Sequence, residues 1–311
     1  MADITRRTWM AGFVLLLACT ACTAEEKPLF TFMQFSDVHV GHGSNRPAHK
    51  RLLAAIKLAN KLKPSFVIDS GDMTTHPVYK AIPEYLAELD EYRKYVAKLA
   101  MPIYPLPGNH DIGYFDYTGS KYSQDHEALV AAYKKKIGPL NQSFTHQGFR
   151  FILFNNNPPL SGQPGHISDE TFGWIESELK KGEKAFLFCH VQILKDGTGP
   201  PWGDSAERLV ALCEKYGVMA VAYGHQHAFH IKTRERTRYI MCPDLKNPGH
   251  REVLQYRIFR DRFELWLYDV FSQKVKRAGR YNAILSPVFS INTEAQAVSG
   301  AVICWGGTRR K

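Results

Sequence analysis

The apolar residues of the chain form short runs that alternate with stretches of helical spacing. The runs at 29–40, 65–72 and 101–111 are mainly apolar and end in polar loops, which predicts buried strands. Between them, residues 51–62 and 83–100 repeat apolar positions every three to four residues, which predicts helices. This alternation predicts a layered α/β fold.

The alternation continues in the second half of the chain. The predicted elements there are a hairpin at 143–157, a helix at 168–182, a strand at 184–190, a helix at 204–217, a strand at 218–227 and two strands within 252–270. Ser168 and Gly182 are expected to cap the first of these helices. Asp204 and Glu207 have capping-box spacing at the start of the second. No clear period follows Tyr281.

Residues 1–24 have the charged, apolar and small-residue order of an export signal. Arg6 and Arg7 precede an apolar run that is too short to span a bilayer. The stretch TRRTWM resembles a twin-arginine signal, and LLAC, which ends at Cys19, resembles a lipoprotein processing site. Cleavage after Ala24 would give a soluble product, and an uncleaved anchor is the remaining alternative. Each reading places the protein outside the cytoplasm, either periplasmic or lipid-anchored to the envelope.

The formal net charge of +10 is concentrated at the C-terminus. Residues 274–311 carry seven basic residues and one acid, so they contribute +6, and the rest of the chain is close to balance. A basic tail of this kind is more often a solvated terminus than a nucleic-acid arm. We therefore do not expect nucleic acid as a partner, and we expect membrane contact only through an N-terminal lipid anchor.

Metal-ligand types of side chain follow five of the predicted strands. These side chains are Asp37 and His39, Asp72, Asn109 and His110, His190, and His225 and His227. A single histidine at a strand end is more often a hydrogen-bonded structural residue. In layered α/β folds, however, sites form outside the carboxyl ends of the strands, so these loops are expected to converge.

Oxygen and imidazole ligands suit divalent metals such as Mn, Fe, Zn or Ni, and the absence of thiolates argues against a closed structural zinc site. One carboxylate can bridge two ions. Two ions held together polarise a phosphoryl group and lower the pKa of a shared water molecule. The pattern therefore predicts two divalent metal ions and hydrolysis of a phosphate ester.

Five motifs in order resemble those of the calcineurin-like metallophosphoesterase superfamily. They are DVH at 37–39, GD at 71–72, GNHD at 108–111, His190 after a strand, and GHQH at 224–227. The resemblance implies a β-sandwich flanked by helices, with a dinuclear metal site at the carboxyl ends of the strands. It implies a metallophosphoesterase domain at 28–273, followed by a tail of unknown role at 274–311. The reaction that the resemblance implies is cleavage of phosphate mono- or diesters by a hydroxide that bridges the metals.

The resemblance also assigns the residues. Asp37, His39 and His227 would hold one metal. Asn109, His190 and His225 would hold the other, and Asp72 would bridge the two. His110 would face the substrate, stabilising transition-state charge or protonating the leaving oxygen, and Asp111 would orient His110.

Two alternatives and one departure accompany this assignment. The first alternative is a noncatalytic metal-binding scaffold of the same fold, and the second is a nuclease that uses the basic tail. The departure concerns the purple acid phosphatase branch, which needs a tyrosine ligand shortly after GD. Here MTTH follows Asp72 and Tyr79 lies beyond that spacing, which argues against an iron–tyrosinate site. His42, His76 and His230 lie near the motifs and are candidates for lining the pocket.

Overall fold

The strands form two mixed six-stranded sheets that pack face to face. The computed structural model describes residues 26–41, 47–75, 82–112, 126–157 and 165–282. The first sheet contains β1 (Phe30–Phe35), β2 (Phe66–Asp69), β3 (Ile103–Pro105), β10 (Glu252–Ile258), β11 (Arg262–Asp269) and β12 (Val275–Asn282). The second contains β4 (Gln142–His146), β5 (Phe149–Leu153), β6 (Lys184–Phe188), β7 (Ala220–Tyr223), β8 (His230–Arg234) and β9 (Thr237–Met241). The expected β-sandwich is confirmed.

The parallel strands of each sheet end at one edge. The strand orders are β12-β11-β10-β1-β2-β3 and β4-β5-β6-β7-β9-β8. In the first sheet β1, β2 and β3 are parallel, and Phe35, Asp69 and Pro105 are neighbours in register. In the second sheet β6 runs parallel to β7, with Phe188 beside Ala222. The loops that follow these strands therefore start side by side.

An aromatic core fills the space between the sheets. Phe32 of the first sheet stacks on Tyr256 with ring centroids 4.3 Å apart, and it meets the edge of Phe151 from the second sheet at 5.2 Å. All three side chains are fully buried. Burying a phenylalanine side chain contributes roughly 1.5–3 kcal/mol, so this layer holds the sheets at a fixed spacing.

Helices cover the outer faces of both sheets. They are α1 (Pro47–Leu62), α2 (Ile82–Val96), α3 (Asn109–Ile112), α4 (His126–Lys136), α5 (Asp169–Leu179) and α6 (Gly203–Tyr216). The apolar stripe predicted on α1, including Leu52 and Ile56, packs with α2 and α4 over the first sheet. The apolar faces of α5 and α6 pack over the second sheet. Each helix thus buries its one apolar face.

The predicted helix caps are only partly correct. Ser168 caps α5, since its hydroxyl accepts a hydrogen bond from Thr171 N at 3.2 Å. Gly182 is not the C-cap of this helix, because the cap is Lys180, two residues earlier. Asp204 does not cap α6 either, because the helix begins one residue earlier and Asp204 lies in its first turn.

Besides a short 3-10 helix at Lys195–Gly197, four elements lie where no element was predicted: α4, β8, β9 and β12. Strand β12 shows that the first sheet continues past residue 273, into the segment interpreted as a tail. Its Lys276 lies 3.8 Å from Glu252 of β10, and its Arg280 lies 3.8 Å from Glu264 of β11. Part of the C-terminal basic charge is therefore paired with acids of the protein's own sheet.

Three cysteines of the described residues are buried free thiols: Cys189, Cys213 and Cys242. Burial raises the pKa of each of these thiols, which keeps them protonated and unreactive. Within the described ranges, no helix has both the length and the apolar character needed to cross a bilayer.

Candidate metal centre

Loops from both sheets meet at the carboxyl ends of the strands. The side chains that could hold a metal fall into three overlapping groups, each with its ligand atoms within 4.8 Å of one another. The groups are Asp37, His39 and His227; His39, Asp72 and His110; and Asp72, His190 and His225. The predicted convergence of the strand-end loops is confirmed.

The backbone at this centre is held in an unusual conformation. Five of the seven candidate ligands have a positive φ: Asp37 at 50°, His39 at 46°, Asp72 at 57°, His225 at 75° and His227 at 54°. A non-glycine residue in this region costs on the order of 1–3 kcal/mol and persists where surrounding structure holds it in place. Such strain is concentrated at functional sites.

Two glycines allow the loops to approach closely. A Cβ atom at Gly108 would collide with the carboxylate and amide of Asp72, and one at Gly224 would collide with Ser36 and the carboxylate of Asp37. Gly224 directly follows β7 of the second sheet, and Ser36 directly follows β1 of the first. The absence of a side chain at these positions thus brings the ligand loops into contact.

Asp37, His39 and His227 form one side of the centre. Asp37 Oδ1 lies 3.2 Å from His227 Nε2, and the Asp37 carboxylate also accepts a hydrogen bond from His225 N at 3.0 Å. Ser36 Oγ donates to Asp37 Oδ2 at 2.5 Å. The Asp37 carboxylate therefore joins loops of the two sheets.

His190, Asn109 and His225 form the other side. His190 Nδ1 lies 2.8 Å from Ser70 O, which can only accept, so this nitrogen carries a proton. The opposite nitrogen, Nε2, lies 3.0 Å from Asn109 Oδ1, and His225 Nδ1 lies 2.8 Å from the same amide oxygen. In many metal-bound histidines, one ring nitrogen donates to a main-chain carbonyl oxygen and the other binds the cation.

His39 supplies the sharpest test of whether a cation fits. Its side chain is fully buried, and among the described residues neither ring nitrogen has a hydrogen-bond partner. Burying such a group unsatisfied costs about 1–3 kcal/mol. Its Nε2 nonetheless lies 3.5 Å from Asp72 Oδ2. An unsatisfied imidazole that faces a carboxylate fits a cation placed between them.

The titratable groups of the centre strongly affect one another. Burial alone would raise the pKa of Asp72, but the neighbouring His190 outweighs it and holds that pKa well below its usual range. Burial works against protonation of His190, yet Asp72 raises the pKa of the ring to about 9. Burial, aided by the charge of His190, lowers the pKa of His225 to about 4. The two carboxylates Asp37 and Asp72 thus remain ionised and attract cations.

His110 lies at the border of the centre. Its Nδ1 is 3.1 Å from Thr75 O, and its ring meets that of His39 edge-on at 4.8 Å between centroids. Its main-chain N–H donates to Asp72 Oδ1 at 2.8 Å. Its side chain is less buried than that of His39. The ring therefore lies beside the candidate ligands and keeps part of its surface exposed.

Asp111, which is expected to orient His110, contacts the main chain of two loops. Its carboxylate accepts main-chain hydrogen bonds from Gly108, Asp72, Met73 and Thr74, at 2.8, 2.8, 3.3 and 3.0 Å. The Thr74 hydroxyl, which also donates to the carbonyl oxygen of His110, donates to Asp111 at 3.1 Å. Asp111 therefore ties two loops together and acts on His110 through the main chain.

The remaining candidate residues for lining the pocket lie in different places. His42, His76 and Tyr79 lie outside the described residues. His230 opens β8, and its ring lies against Gly197. The loop between β9 and β10 was missed: Asn247 Nδ2 lies 3.2 Å from His227 Nδ1. No spacing in the sequence pointed to this loop, because it lies outside the strand-end motifs.

Known proteins share this sequence pattern. Residues 30–229 match the model of the calcineurin-like phosphoesterase family. A protein of Arcobacter nitrofigilis named "Probable glycerophosphodiester phosphodiesterase" is 26% identical over 72% of this chain and 81% of its own length. A protein of Nostoc sp. named 3',5'-cyclic-nucleotide phosphodiesterase is 23% identical over 70% of this chain and 79% of its own length.

Solved structures share the fold. A dimetal phosphatase from Danio rerio superposes with a TM-score of 0.61 at 15% identity, over 84% of this chain and all of that one. A purple acid phosphatase from yellow lupin gives 0.60 at 13% identity, over 83% of this chain and 54% of that one. These identities establish the fold alone. The match over residues 30–229 shows that the chain belongs to the calcineurin-like phosphoesterase family, and with the names of its sequence relatives it identifies the chain as a metal-dependent hydrolase of phosphoester bonds.

Proposed function

We propose that the centre holds two divalent cations and cleaves phosphate mono- or diesters. Asp37, His39 and His227 would hold one cation. Asn109, His190 and His225 would hold the other, with Asp72 between them. The observation that carries this proposal is the position of one oxygen: Asp72 Oδ2 lies 3.5 Å from His39 Nε2 and 3.2 Å from His190 Nε2. A single carboxylate thus faces both ligand groups.

The types of ligand atom limit which metals suit the site. The seven side chains offer carboxylate, amide and imidazole groups, and the described cysteines lie outside all three clusters. Nitrogen and oxygen ligands without thiolate suit Mn, Fe, Zn or Ni. The spacing of Tyr79 from Asp72 supports a site without tyrosinate, even though a purple acid phosphatase shares the fold.

The chemistry divides between the cations and the protein. When bound, two divalent cations polarise the phosphoryl group and lower the pKa of a water molecule. His110 would then serve the leaving oxygen. Because Thr75 O fixes the proton of its Nδ1, the ring can donate from Nε2 in its protonated form or place partial positive charge there. Asp111 would hold the loop that positions His110.

A substrate panel on reconstituted protein tests the function. Metal-free protein should be inactive, and addition of Mn, Fe, Zn or Ni should restore hydrolysis with two ions bound per chain. The panel should contain a monoester, an acyclic diester and a 3',5'-cyclic nucleotide, since the two sequence relatives are named for diester substrates. Full activity without metal would refute the two-metal proposal. Two bound ions without any hydrolysis would favour the noncatalytic scaffold.

The basic C-terminus gives little support to a nuclease. Two basic residues of β12 already face acids of their own sheet. A nuclease that used this segment would bind DNA with an affinity that falls steeply with salt and weakens when residues 283–311 are removed. We expect neither effect.

We also propose that the protein is exported. The order of charged, apolar and small residues in 1–24 supports this, with lipid modification at Cys19 and cleavage after Ala24 as the two products. Mass spectrometry of the protein isolated from its source distinguishes them. An intact Met1 on protein recovered from the cytoplasm would contradict export.

A further inference from the structure

The loop between β9 and β10 carries a lysine to the edge of the metal centre. On one side of Lys246, Leu245 is buried and its N–H donates to Ser36 O at 3.1 Å, next to Asp37. On the other side, Asn247 lies 3.2 Å from the ring of His227. The backbone of Lys246 is therefore held between two residues that contact loops of the candidate centre.

Buried polar groups fix the shape of this loop. The guanidinium of Arg51, itself buried, donates to the carbonyl oxygens of Leu245 and Lys246. The buried carboxylate of Asp244 accepts a hydrogen bond from Asn247 N at 2.6 Å and pairs with His250. The protein thus holds Lys246 in place by its own contacts, before any substrate arrives.

The ammonium group of Lys246 is available to a ligand. The residue is half-buried, and among the described residues no carboxylate lies within the 4.0 Å of an ion pair with it. The neighbours of Lys246 contact Ser36, next to Asp37, and the ring of His227, on two sides of the candidate ligands. The backbone of Lys246 is thus held beside the centre, and its side chain carries a positive charge.

We propose that Lys246 binds a non-esterified oxygen of the substrate's phosphoryl group and that it favours phosphomonoester dianions over diesters. This inference rests on the proposed function. A monoester carries one more non-esterified oxygen and one more negative charge than a diester. A cation at a fixed position beside the centre stabilises the group with the larger charge more strongly. The groups already described carry out the hydrolysis, and Lys246 determines which class of ester is preferred.

The test compares two esters that share one leaving group. On the metal-loaded protein, Lys246→Ala should lower kcat/KM for p-nitrophenyl phosphate about 10- to 100-fold, the loss typical of one charge-assisted hydrogen bond. The loss on methyl p-nitrophenyl phosphate should stay within about 3-fold, because a diester has less charge to stabilise. Lys246→Arg should recover part of the monoester activity. Lys57→Ala removes the same charge from an exposed position on α1 and should change neither ester.

Binding provides a readout that does not depend on turnover. The dissociation constant of inorganic phosphate, measured by calorimetry on the two-metal protein, should rise about 10-fold or more in Lys246→Ala, while metal stoichiometry stays at that of the wild type. Equal losses on both esters, or unchanged phosphate binding with both metals present, would overturn the role of Lys246. Inactivity of the wild type on both esters would instead count against the proposed function, and phosphate binding would still decide the role of Lys246.

Discussion

The carboxylate of Asp111 accepts a hydrogen bond from the main-chain N–H of Asp72, 2.8 Å away. The same carboxylate oxygen also accepts from Gly108 N, so it ties the loop after β2 to the loop after β3. Asp111→Asn replaces one acceptor oxygen with an NH₂ group that faces N–H donors. We expect a loss of about 1.5–3 kcal/mol in the free energy of unfolding of the metal-free protein.

Urea denaturation of the metal-free variant and wild type measures this loss. Metal affinity should fall as well, because the displaced loops carry Asp72 and Asn109. Unchanged stability together with a fall in turnover would show instead that Asp111 acts on catalysis directly.

Asp72→Asn should reduce metal content and activity together. The substitution keeps the shape of the side chain but removes the charge that faces both ligand groups. Metal analysis after equilibration with one candidate metal, paired with hydrolysis of p-nitrophenyl phosphate, checks the coupling. Glu170→Gln on the exposed start of α5 is the control. A variant that retains both ions and full turnover would refute the bridging role of Asp72.

His110→Asn separates catalysis from metal binding. Both metals should remain bound, since His110 lies beside the assigned ligands. Turnover on an ester with a poor leaving group should fall by roughly 10²–10⁴-fold. An aryl ester leaves more easily, so its loss should be smaller if His110 protonates the leaving oxygen. Rates for an alkyl and an aryl monoester, measured with metal content, provide the comparison.

Similar losses on the two monoesters would favour stabilisation of charge on the phosphoryl group instead. Wild-type turnover on every ester, with metal bound normally, would show that His110 has no catalytic role.

Asp69 should make the stability of the metal-free protein depend on pH. Burial raises the pKa of its carboxyl to about 7, although Tyr92 donates a hydrogen bond to it at 2.7 Å. The folded pKa thus lies above the unfolded value of about 3.9. The contribution of this group to stability is complete below about pH 4 and is lost as the pH rises through 7, by about 3–4 kcal/mol in total.

The variant Asp69→Asn cannot lose a proton, so its stability relative to the wild type should rise between pH 5 and pH 8. Urea denaturation at both pH values measures the difference. Parallel changes in the two proteins would show that Asp69 is not the group responsible.

The sequence predicted the convergence of the strand-end loops because topology alone requires it. Parallel neighbours such as β1 and β2 must end at the same edge, so polar residues that follow them must meet. The positive φ of Asp37 and His39 was not predictable, because local preference disfavours that conformation and only the surrounding loops impose it.

Long-range contacts account for the rest of what the sequence missed. The role of Asp111 depends on main-chain donors some 35 to 40 positions earlier, which no local motif records. Likewise the loop that carries Lys246 is placed at the centre by contacts of Leu245 with Ser36 and of Lys246 with Arg51, about 200 positions earlier in the chain. Strand β8 is half exposed on both faces and has no clear alternation, so its pattern resembles a loop.

Because Gly224 and Ser36 are in contact, the geometry of the metal centre depends on how the two sheets are aligned. Asp37 and Asp72 lie in loops that follow strands of one sheet, whereas His190, His225 and His227 lie in loops that follow strands of the other. If the sheets slid past each other by a small distance, the aromatic layer between the sheets would be displaced. The donor atoms on the two sides of the centre would move apart by the same distance. Core substitutions at Phe32 or Phe151 that leave the protein folded should therefore weaken metal binding first. Selection for a tightly bound cation would then also preserve side chains deep in the interior, far from any substrate.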